Sequence, residues 1–409
     1  MKFCETTLPN GLEVIAECNP QAYSSAFGFF VKTGARDETD EVSGVSHFLE
    51  HMVFKGTAKR SAADVNRDLD ALGSKSNAYT SEEQTVYYAA VLPEYQEQLV
   101  EILADMLRPA LRQDDFDVEK QVILKEINKY ANEPPFGAHE KCMAVHFGAH
   151  PLARSVLGTA ESITALQSEQ MRAYFQQRYS PKNIALVAAG NVDFAALVKS
   201  AEMHCGTWEP FDARRTTPRA APHTGREIML NDIATQEYAV QLANGPAAKD
   251  PDRYAARLLA TILGDDSGSR MFWELADTGL AEYAAMSACE YQGTGVYMTF
   301  LSCAPEDAAE NLSRIDAIFA EAEKNGVTEG ELQQAKNKIC AHIILQAERS
   351  SSRLFSVGSN WIQRREYRAV ADIVKSYQAV QLADIAAVLR KYPLSQKTTV
   401  CVGPLADVA

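Results

Sequence analysis

One interruption in the alternation of strand-like and helical segments limits the folds that this 409-residue chain can adopt. Before it, strand-like apolar runs alternate with helical periods, which is typical of an α+β fold. Residues 207–226 break this pattern with proline, glycine and arginine. A strand-like run at 238–242 and a helical period at 254–263 then begin the same order again. Because a chain of this length exceeds what one hydrophobic core usually supports, we predict two domains or two related halves.

The N-terminal residues predict a β-hairpin. Asn10-Gly11 lies between the short apolar runs 6–8 and 12–15, and Asn-Gly in that setting favours a tight turn between two strands. Further strand-like runs are present at 85–92 and 183–189. The chain is therefore expected to start with β structure.

The charge of the chain argues against a nucleic-acid partner. Its formal net charge is -14 at pH 7, whereas nucleic-acid binders normally present a basic face. One local group of arginines is interleaved with proline and glycine, so we interpret it as part of a solvated linker. Its members are Arg214, Arg215, Arg219 and Arg226.

No segment of the sequence predicts membrane insertion or export. No run approaches 18 uninterrupted apolar residues, and the first five residues lack the apolar core of a signal peptide. The 8 cysteines are scattered without a CxxC pair, which favours reduced and mostly buried thiols. We therefore expect a cytoplasmic protein without a membrane partner.

A helix between Ser43 and Gly56 carries the first residues with clear chemical potential. Ser43 is a suitable N-cap and Gly56 a suitable end, and apolar side chains recur at i, i+3, i+4 and i+7 between them. At about 100° per residue, His47 and His51 lie roughly 40° apart on the helix surface. Both imidazoles can therefore point into one cleft.

The spacing of His47, Glu50 and His51 has a known chemical use. Two neutral imidazoles one turn apart can bind one Zn²⁺, and a catalytic site adds a third protein ligand and an open position for water. Glu50 lies beside the pair and can accept a proton as general base. The order HxxEH is the inverted form of the common HExxH zinc motif. Two histidines that form hydrogen bonds within the core or face solvent are the alternative.

A second predicted helix, at 115–130, carries two glutamates on one face. Glu119 and Glu126 are two helical turns apart, so both can approach a metal from across the domain. A chain with 54 acidic residues contains such pairs by chance, and solvated carboxylates are the alternative. Spacing alone therefore does not identify a third ligand.

Six short motifs occur in a fixed order within the first 165 residues. They are Gly34-Ala35-Arg36-Asp37-Glu38, Gly44–Thr57, Asn77-Ala78-Tyr79-Thr80, Glu119–Glu126, His150-Pro151-Leu152 and Leu157-Gly158-Thr159. Together they closely resemble the pitrilysin family of metallopeptidases, which includes insulin-degrading enzyme and the mitochondrial processing peptidase. The resemblance is strong up to about residue 165 and weaker afterwards.

This resemblance implies a zinc site. By matching, His47, His51 and Glu126 correspond to the family's zinc ligands, Glu50 to its general base and Glu119 to a supporting carboxylate. Because the second half contains no HxxEH motif, one Zn²⁺ per chain is expected. The implied function is a zinc-dependent endopeptidase that hydrolyses peptides or unfolded segments.

The resemblance also implies residues that contact the peptide substrate. Asn77 and Ala78 match a segment that lies on an edge strand, where a peptide adds as one more strand. Tyr283 matches a tyrosine that reaches the substrate and the developing oxyanion, whereas Ala276 stands where the family typically has arginine. This difference is compatible with weaker catalysis, with a fault in the alignment or with another peptide anchor such as Arg270. A weak or inactive subunit that binds peptides or a partner chain is the alternative function.

The architecture that the resemblance implies is α+β, with two similar halves. Each half is expected to be a mostly antiparallel sheet with helices, and the halves to close like a clam shell around a chamber on dimerisation. We expect a catalytic zinc-binding half at 1–212, a linker at 213–226 and a non-catalytic half at 227–409. Because members of this length often pair, a homodimer or pairing with a related subunit is expected.

Overall fold

The computed structural model describes residues 1–131, 133–221 and 223–408. The chain forms two compact units, and each unit combines segments that are distant in sequence. The first unit comprises Met1–Asn128, Arg154–Arg215 and Leu345–Arg368, and the second unit comprises Lys129–Ala153, Thr216–Ile344 and Ala369–Ala409.

Two β-sheets form the centres of the two units, one sheet in each unit. The first sheet consists of β1 Lys2–Thr7, β2 Glu13–Cys18, β3 Ser25–Val31, β4 Lys75–Thr80, β5 Thr85–Val91 and β6 Ile184–Gly190. The second sheet consists of β7 Gly225–Leu230, β8 Glu237–Gly245, β9 Tyr283–Glu290, β10 Gly295–Cys303 and β11 Lys397–Gly403.

The two sheets share one topology. The strand order is β1-β2-β6-β3-β5-β4 in the first sheet and β7-β11-β8-β10-β9 in the second, so the orders correspond strand for strand once β1 is set aside. The parallel pair also occupies the same place in both, β2 with β6 and β7 with β11, while the other neighbours are antiparallel. The predicted fold class is therefore confirmed: the chain is α+β with two similar halves, each built on a mostly antiparallel sheet.

Helices pack on both faces of the sheets. None of the helices in the described ranges combines the length and apolar character that a bilayer crossing requires. The α-helices are α1 Val45–Val53, α2 Ala62–Ala71, α3 Gln96–Met106, α4 Gln113–Ala131, α5 Pro134–Phe147, α6 Ala160–Ala165, α7 Ser168–Arg178, α8 Phe194–Cys205, α9 Arg253–Gly264, α10 Ala308–Asn325, α11 Glu329–Ala347, α12 Ser350–Arg364, α13 Val370–Ala379 and α14 Leu382–Lys391.

One face of the first sheet is covered by α12, a helix from late in the sequence. Leu354 and Val357 of α12 pack against Phe30 and Val187 of the sheet in one buried apolar cluster. The approach is close, because a Cβ atom at Gly358 would lie 2.3 Å from the Phe30 ring. The opposite face of this sheet packs against α1, α3 and α8, which form the main core of the first unit.

The second sheet is covered in the corresponding way by α5, a helix from early in the sequence. Cys142, Met143 and Phe147 of α5 pack with Val240 and Val400, which lie on β8 and β11. These are the strands that correspond to β3 and β6, on which α12 packs in the first unit. The two sequence halves have thus exchanged equivalent helices, which local sequence patterns do not reveal.

Several local predictions are confirmed by the structure. Strands β1 and β2 form the predicted antiparallel hairpin, with Lys2 opposite Cys18. The strands at 85–91 and 184–190 lie within one residue of the predicted bounds. All eight cysteines are free thiols, and five of them are buried.

The predicted linker at 213–226 is corrected in two respects. Its last two residues already belong to β7, which begins at Gly225. Arg215 is not solvated: its side chain is 2% exposed because it forms an ion pair with the equally buried Asp37. A buried guanidinium needs such a carboxylate partner to offset its desolvation. Pro222 lies outside the described residues.

Candidate metal centre

Helix α1 lies with its apolar side against the core of the first unit. Val45, Phe48, Leu49 and Met52 are at most 1% exposed, which is the face that the i, i+3, i+4, i+7 pattern predicts. The Phe48 ring also stacks on Phe116 of α4, with 4.7 Å between the ring centroids. This packing fixes α1 next to α4, the two helices that carry the predicted zinc ligands.

The start of α1 differs from the sequence prediction. The N-cap residue is Gly44 rather than Ser43, and glycine has no side chain that could accept a hydrogen bond from the first turn. Instead, the Glu38 carboxylate accepts hydrogen bonds from the backbone N–H groups of Gly44 and Ser46, both at 2.7 Å. A carboxylate in this place satisfies two N–H groups that the helix leaves open and interacts favourably with the helix dipole. Burial raises the pKa of Glu38 to about 7, and these hydrogen bonds oppose part of that rise.

Buried ion pairs fix the segment that holds Glu38. Arg36 pairs with Glu83, and both side chains are nearly inaccessible to solvent. Asp37 pairs with Arg178 at 2.8 Å, again with both partners buried. The turn between β4 and β5, which holds Glu83, and the end of α7 at Arg178 therefore determine where Glu38 lies. Glu38 in turn determines where α1 begins.

Three potential metal ligands converge beside α1. The rings of His47 and His51 are 4.7 Å apart between centroids. The Oε2 atom of Glu126, on α4, lies 3.9 Å from Nε2 of His47 and 3.6 Å from Nε2 of His51. Ligand atoms of the three residues all lie within 4.8 Å of one another, and no second group of this kind occurs in the described ranges.

The protonation of the two histidines differs with their surroundings. Burial, assisted by the neighbouring His51, lowers the pKa of His47 to about 3, so this ring is neutral at pH 7, as a metal ligand must be. Burial also lowers the pKa of His51, but the carboxylates of Glu119, Glu126 and Glu50 outweigh it, and the net pKa is raised. The surrounding carboxylates therefore favour a positive charge on the His51 ring.

Glu119 lies behind His51, on the side away from Glu126. Its Oε1 accepts a hydrogen bond from Nδ1 of His51 at 2.9 Å, and its Oε2 pairs with Nζ of Lys55 at 2.5 Å. Although burial opposes it, these two contacts lower the pKa of Glu119. With Nδ1 donating to Glu119, the lone pair of His51 is on Nε2, the nitrogen nearest to Glu126.

This donor set fits Zn²⁺. Two imidazole nitrogens and one carboxylate oxygen are typical protein ligands of catalytic zinc, and tetrahedral ligands at zinc distances lie ~3.3 Å apart. The separations of 3.6 and 3.9 Å from Glu126 to the two histidines are close to that value. Three carboxylates surround His51, and a divalent cation would offset their charge.

Glu50 lies beside the ligand cluster without being one of its three members. Its Oε2 accepts a hydrogen bond from Oγ1 of Thr80 at 2.6 Å. Burial raises the pKa of Glu50, an effect that Thr80 and His51 partly oppose and that the charge of Glu126 reinforces. A partly buried carboxylate of this kind can accept a proton and return it.

Asn77 and Ala78 lie on β4, an edge strand of the first sheet, as the resemblance implies. They pair with Tyr88 and Tyr87 of β5, and the first three residues of β4 are exposed. Among the described strands, none pairs with the outer side of β4. An exposed strand edge presents backbone N–H and C=O groups to which an extended peptide can add.

The residues predicted in the second half lie in the second unit. Tyr283 is the first residue of β9, is 42% exposed and donates a hydrogen bond to Asp266 at 3.0 Å. Ala276 ends a short π-helical turn at Phe272–Ala276. Arg270, the alternative peptide anchor, is engaged within the unit by a bidentate ion pair with Glu331 at 2.7 and 3.0 Å. That engagement makes Arg270 a poor substitute for the arginine that the family typically has.

Three residues with direct contacts in this region received no role from the sequence. Glu38 and Thr80 are the last residues of two of the motifs that resemble the family. The resemblance therefore included both positions without assigning either of them a role. Lys55 follows His51 by four residues, a spacing that predicts a shared helix face. The partners of Thr80 and Lys55 are distant in sequence, which explains why only the fold reveals these two contacts.

Comparisons with known proteins identify the family that this chain resembles. The family model described as Insulinase (Peptidase family M16) matches residues 13–160, and the model described as Peptidase M16 inactive domain matches residues 165–339. An uncharacterized zinc protease of Mycobacterium tuberculosis is 32% identical over 393 residues, which cover 94% of this chain and 89% of that protein. Mitochondrial-processing peptidase subunit beta of Lentinula edodes is 30% identical over 414 residues, which cover 95% of this chain and 86% of that protein.

Solved structures show the same fold over the whole chain. A protease from Helicobacter pylori superposes with a TM-score of 0.92 at 24% identity and covers 98% of this chain and 99% of its own. A peptidase M16 inactive domain from Pseudomonas fluorescens gives a TM-score of 0.92 at 19% identity, with 99% of both chains covered. At these identities the likeness establishes the fold alone.

Proposed function

This chain belongs to the insulinase (M16) family of peptidases, and from that premise we propose that it is a zinc-dependent endopeptidase. The observation that supports the proposal most directly is the convergence of His47, His51 and Glu126 beside Glu50. In this proposal the three residues hold one zinc ion per chain, and Glu119 orients His51.

The chemistry divides between the metal and the side chains of the chain. Bound zinc supplies a Lewis acid, which makes water a better nucleophile and polarises a carbonyl group. The Glu50 carboxylate accepts the proton of the attacking water and then donates it to the nitrogen of the leaving amine. Glu50 is close enough to His51 and Glu126 to interact with their charges, yet it is not one of the three residues of the ligand cluster, which supports this role.

The substrate in this proposal is an extended peptide that adds to the outer edge of β4. Main-chain hydrogen bonds to Asn77 and Ala78 would align the peptide, and because they involve its backbone, they would select an extended shape rather than a sequence. Tyr283 is proposed to contact the substrate or the developing oxyanion. We place the zinc-binding function in the half at 1–212 and a supporting role in the half at 227–409.

We also propose that the chain pairs with a second copy or with a related subunit. One relative is the beta subunit of a mitochondrial-processing peptidase. A chain of complex III of Candida albicans has a similar fold, and that chain is also part of an assembly. The cytoplasm is the proposed location.

The second candidate function is a subunit that binds peptides without cutting them. Ala276, in place of the arginine expected there, favours this alternative. The intact set of His47, His51 and Glu126 favours hydrolysis.

Digestion of a peptide mixture distinguishes the endopeptidase from the subunit that only binds peptides. We expect the purified zinc form to cleave internal peptide bonds, a chelator to stop cleavage, and added Zn²⁺ to restore it. Glu50→Gln keeps the shape of the side chain without the base, so it should retain zinc while kcat falls by ~10²-fold or more. Glu94→Gln, at an exposed site of the same unit, is the matched control and should behave as wild type.

Full activity of Glu50→Gln would contradict the proposed mechanism. Binding of peptides without chelator-sensitive cleavage would support the second candidate function instead. Cleavage-site mass spectrometry distinguishes internal cuts from the stepwise removal of terminal residues.

A further inference from the structure

We infer that Thr80 is a positioning residue that holds the Glu50 carboxylate in the orientation needed for proton transfer, an inference that rests on the proposed function. Thr80 is the last residue of β4, and its Oγ1 donates to Oε2 of Glu50 at 2.6 Å. A hydroxyl that donates to a carboxylate forms one of the stronger and shorter hydrogen bonds in proteins. The contact joins the metal-binding helix α1 to the edge strand β4.

The charges around Glu50 explain why its orientation needs such a contact. Glu126 is a like charge whose repulsion acts on Glu50, while His51 attracts it. A glutamate side chain has three rotatable bonds, so these opposed forces alone do not select one position of the carboxylate. Thr80 supplies a fixed donor from a different element. It therefore keeps the carboxylate beside the ligand cluster rather than within it.

The location of Thr80 on β4 gives the contact a further consequence. In the proposed function, the peptide adds to this strand at Asn77 and Ala78, three and two residues before Thr80, respectively. The backbone that aligns the peptide and the hydroxyl that aligns the base thus belong to one short strand. Their relative position is fixed by the pairing of β4 with β5.

Two substitutions at Thr80 separate the hydroxyl from the shape of the side chain. Thr80→Val keeps the branched shape and removes the donor, whereas Thr80→Ser keeps the donor. We expect kcat to fall about tenfold in Thr80→Val, a part of the ~10²–10⁴-fold that a general base contributes, with KM and zinc content near wild type. Thr80→Ser should retain at least about a third of the wild-type kcat.

Thr85→Val is the matched control. Thr85 lies opposite Thr80 on β5, but its hydroxyl donates to the backbone oxygen of Thr33 at 3.0 Å. Loss of that buried hydrogen bond should lower Tm without changing kcat. If Thr85→Val lowers kcat as much as Thr80→Val, a general loss of structure explains both results and the inference is overturned.

A double-mutant comparison separates this inference from the proposed function. If Glu50 acts as the base and Thr80 acts through it, Thr80→Val should have no further effect on kcat in the Glu50→Gln background. An inactive Glu50→Gln variant together with a fully active Thr80→Val variant would overturn the inference alone. A fully active Glu50→Gln variant would overturn the proposed function and, with it, the inference.

A crystal structure of the zinc form provides a readout that does not depend on activity. We expect Oγ1 of Thr80 to lie within hydrogen-bond distance of the Glu50 carboxylate, and the carboxylate to adopt another position in Thr80→Val. A distance beyond ~3.5 Å in the wild type would contradict the inference directly.

Discussion

His51 takes part in two contacts at once, because its two ring nitrogens face different carboxylates. Nδ1 donates to Glu119 at 2.9 Å, and Nε2 faces Glu126 at 3.6 Å. Glu119 is buried and already paired with Lys55, whereas Glu126 is 26% exposed at the side chain and faces both histidines. The two glutamates on one helix face therefore have different surroundings, which their spacing of seven residues does not show.

This difference predicts unequal effects on zinc. Glu126→Gln replaces a proposed direct ligand by a neutral amide, so we expect most of the bound zinc to be lost. Glu119→Gln removes only the partner that orients His51, a change that typically weakens metal affinity by about 10–100-fold. Elemental analysis after dialysis at a buffered free-zinc concentration should show less zinc in Glu126→Gln than in Glu119→Gln.

Glu202→Gln, at an exposed site on α8, serves as the control and should retain the wild-type zinc content. Equal zinc content in the two variants Glu126→Gln and Glu119→Gln would count against the assignment of Glu126 as the direct ligand.

Helix α1 shows how far sequence patterns determine an element. The apolar spacing places its buried face and the two histidines correctly, because helical periodicity is a local property. Its first turn is not predictable in that way. Ser43 has the residue type of an N-cap, but the hydrogen bonds come from Glu38, which is held by residues distant in the chain. Tertiary contacts therefore override the local capping preference.

The capping contact leads to a prediction about Glu38. Glu38→Ala leaves the N–H groups of Gly44 and Ser46 without their acceptor, and a buried donor that loses its partner costs about 1–3 kcal/mol. We expect unfolding in denaturant to show a loss of about 2 kcal/mol or more, together with weaker zinc retention, because His47 lies in the first turn of α1. Glu38→Gln keeps an acceptor oxygen and should lose less.

The matched control is Glu41→Ala, three residues farther along the same segment. Glu41 is exposed, so its removal should change the free energy of unfolding by less than about 0.5 kcal/mol. A loss in Glu38→Ala no larger than in Glu41→Ala would show that the capping contact does not stabilise α1.

The topology is repeated in the two halves of the molecule, but the proposed metal ligands are present in one half alone. Helix α9 follows β8 as α1 follows β3, and the two strands occupy the same place in their sheets. The sequence of α9 contains neither histidine nor glutamate. The second half therefore repeats the arrangement of strand and helix but lacks the histidine and glutamate side chains, as expected from the absence of a second HxxEH motif.

Exchange of equivalent helices is the property of the molecule that the sequence did not predict. Amphipathic periodicity identifies a helix but not the sheet on which it packs, since both sheets present similar apolar faces. In the first unit, Arg353 of α12 forms a buried bidentate contact with Glu17 of β2, and Tyr367 donates to the same carboxylate at 2.8 Å. Without residues 345–368, that carboxylate and the apolar face at Phe30 would lose their partners.

The exchange predicts that a fragment of residues 1–212 does not fold by itself, although it contains all proposed zinc ligands. Removal of α12 exposes apolar side chains that are fully buried in the first sheet. It also removes Arg353, the buried ion-pair partner of Glu17, and loss of one partner of a buried pair typically costs ~3–5 kcal/mol. We expect this fragment to bind a hydrophobic dye and to lack a cooperative thermal transition. Co-expression with a separate chain of residues 213–409 should restore the transition, whereas the same chain without residues 345–368 should not. A cooperative transition of the 1–212 fragment alone would show that the first sheet does not depend on α12.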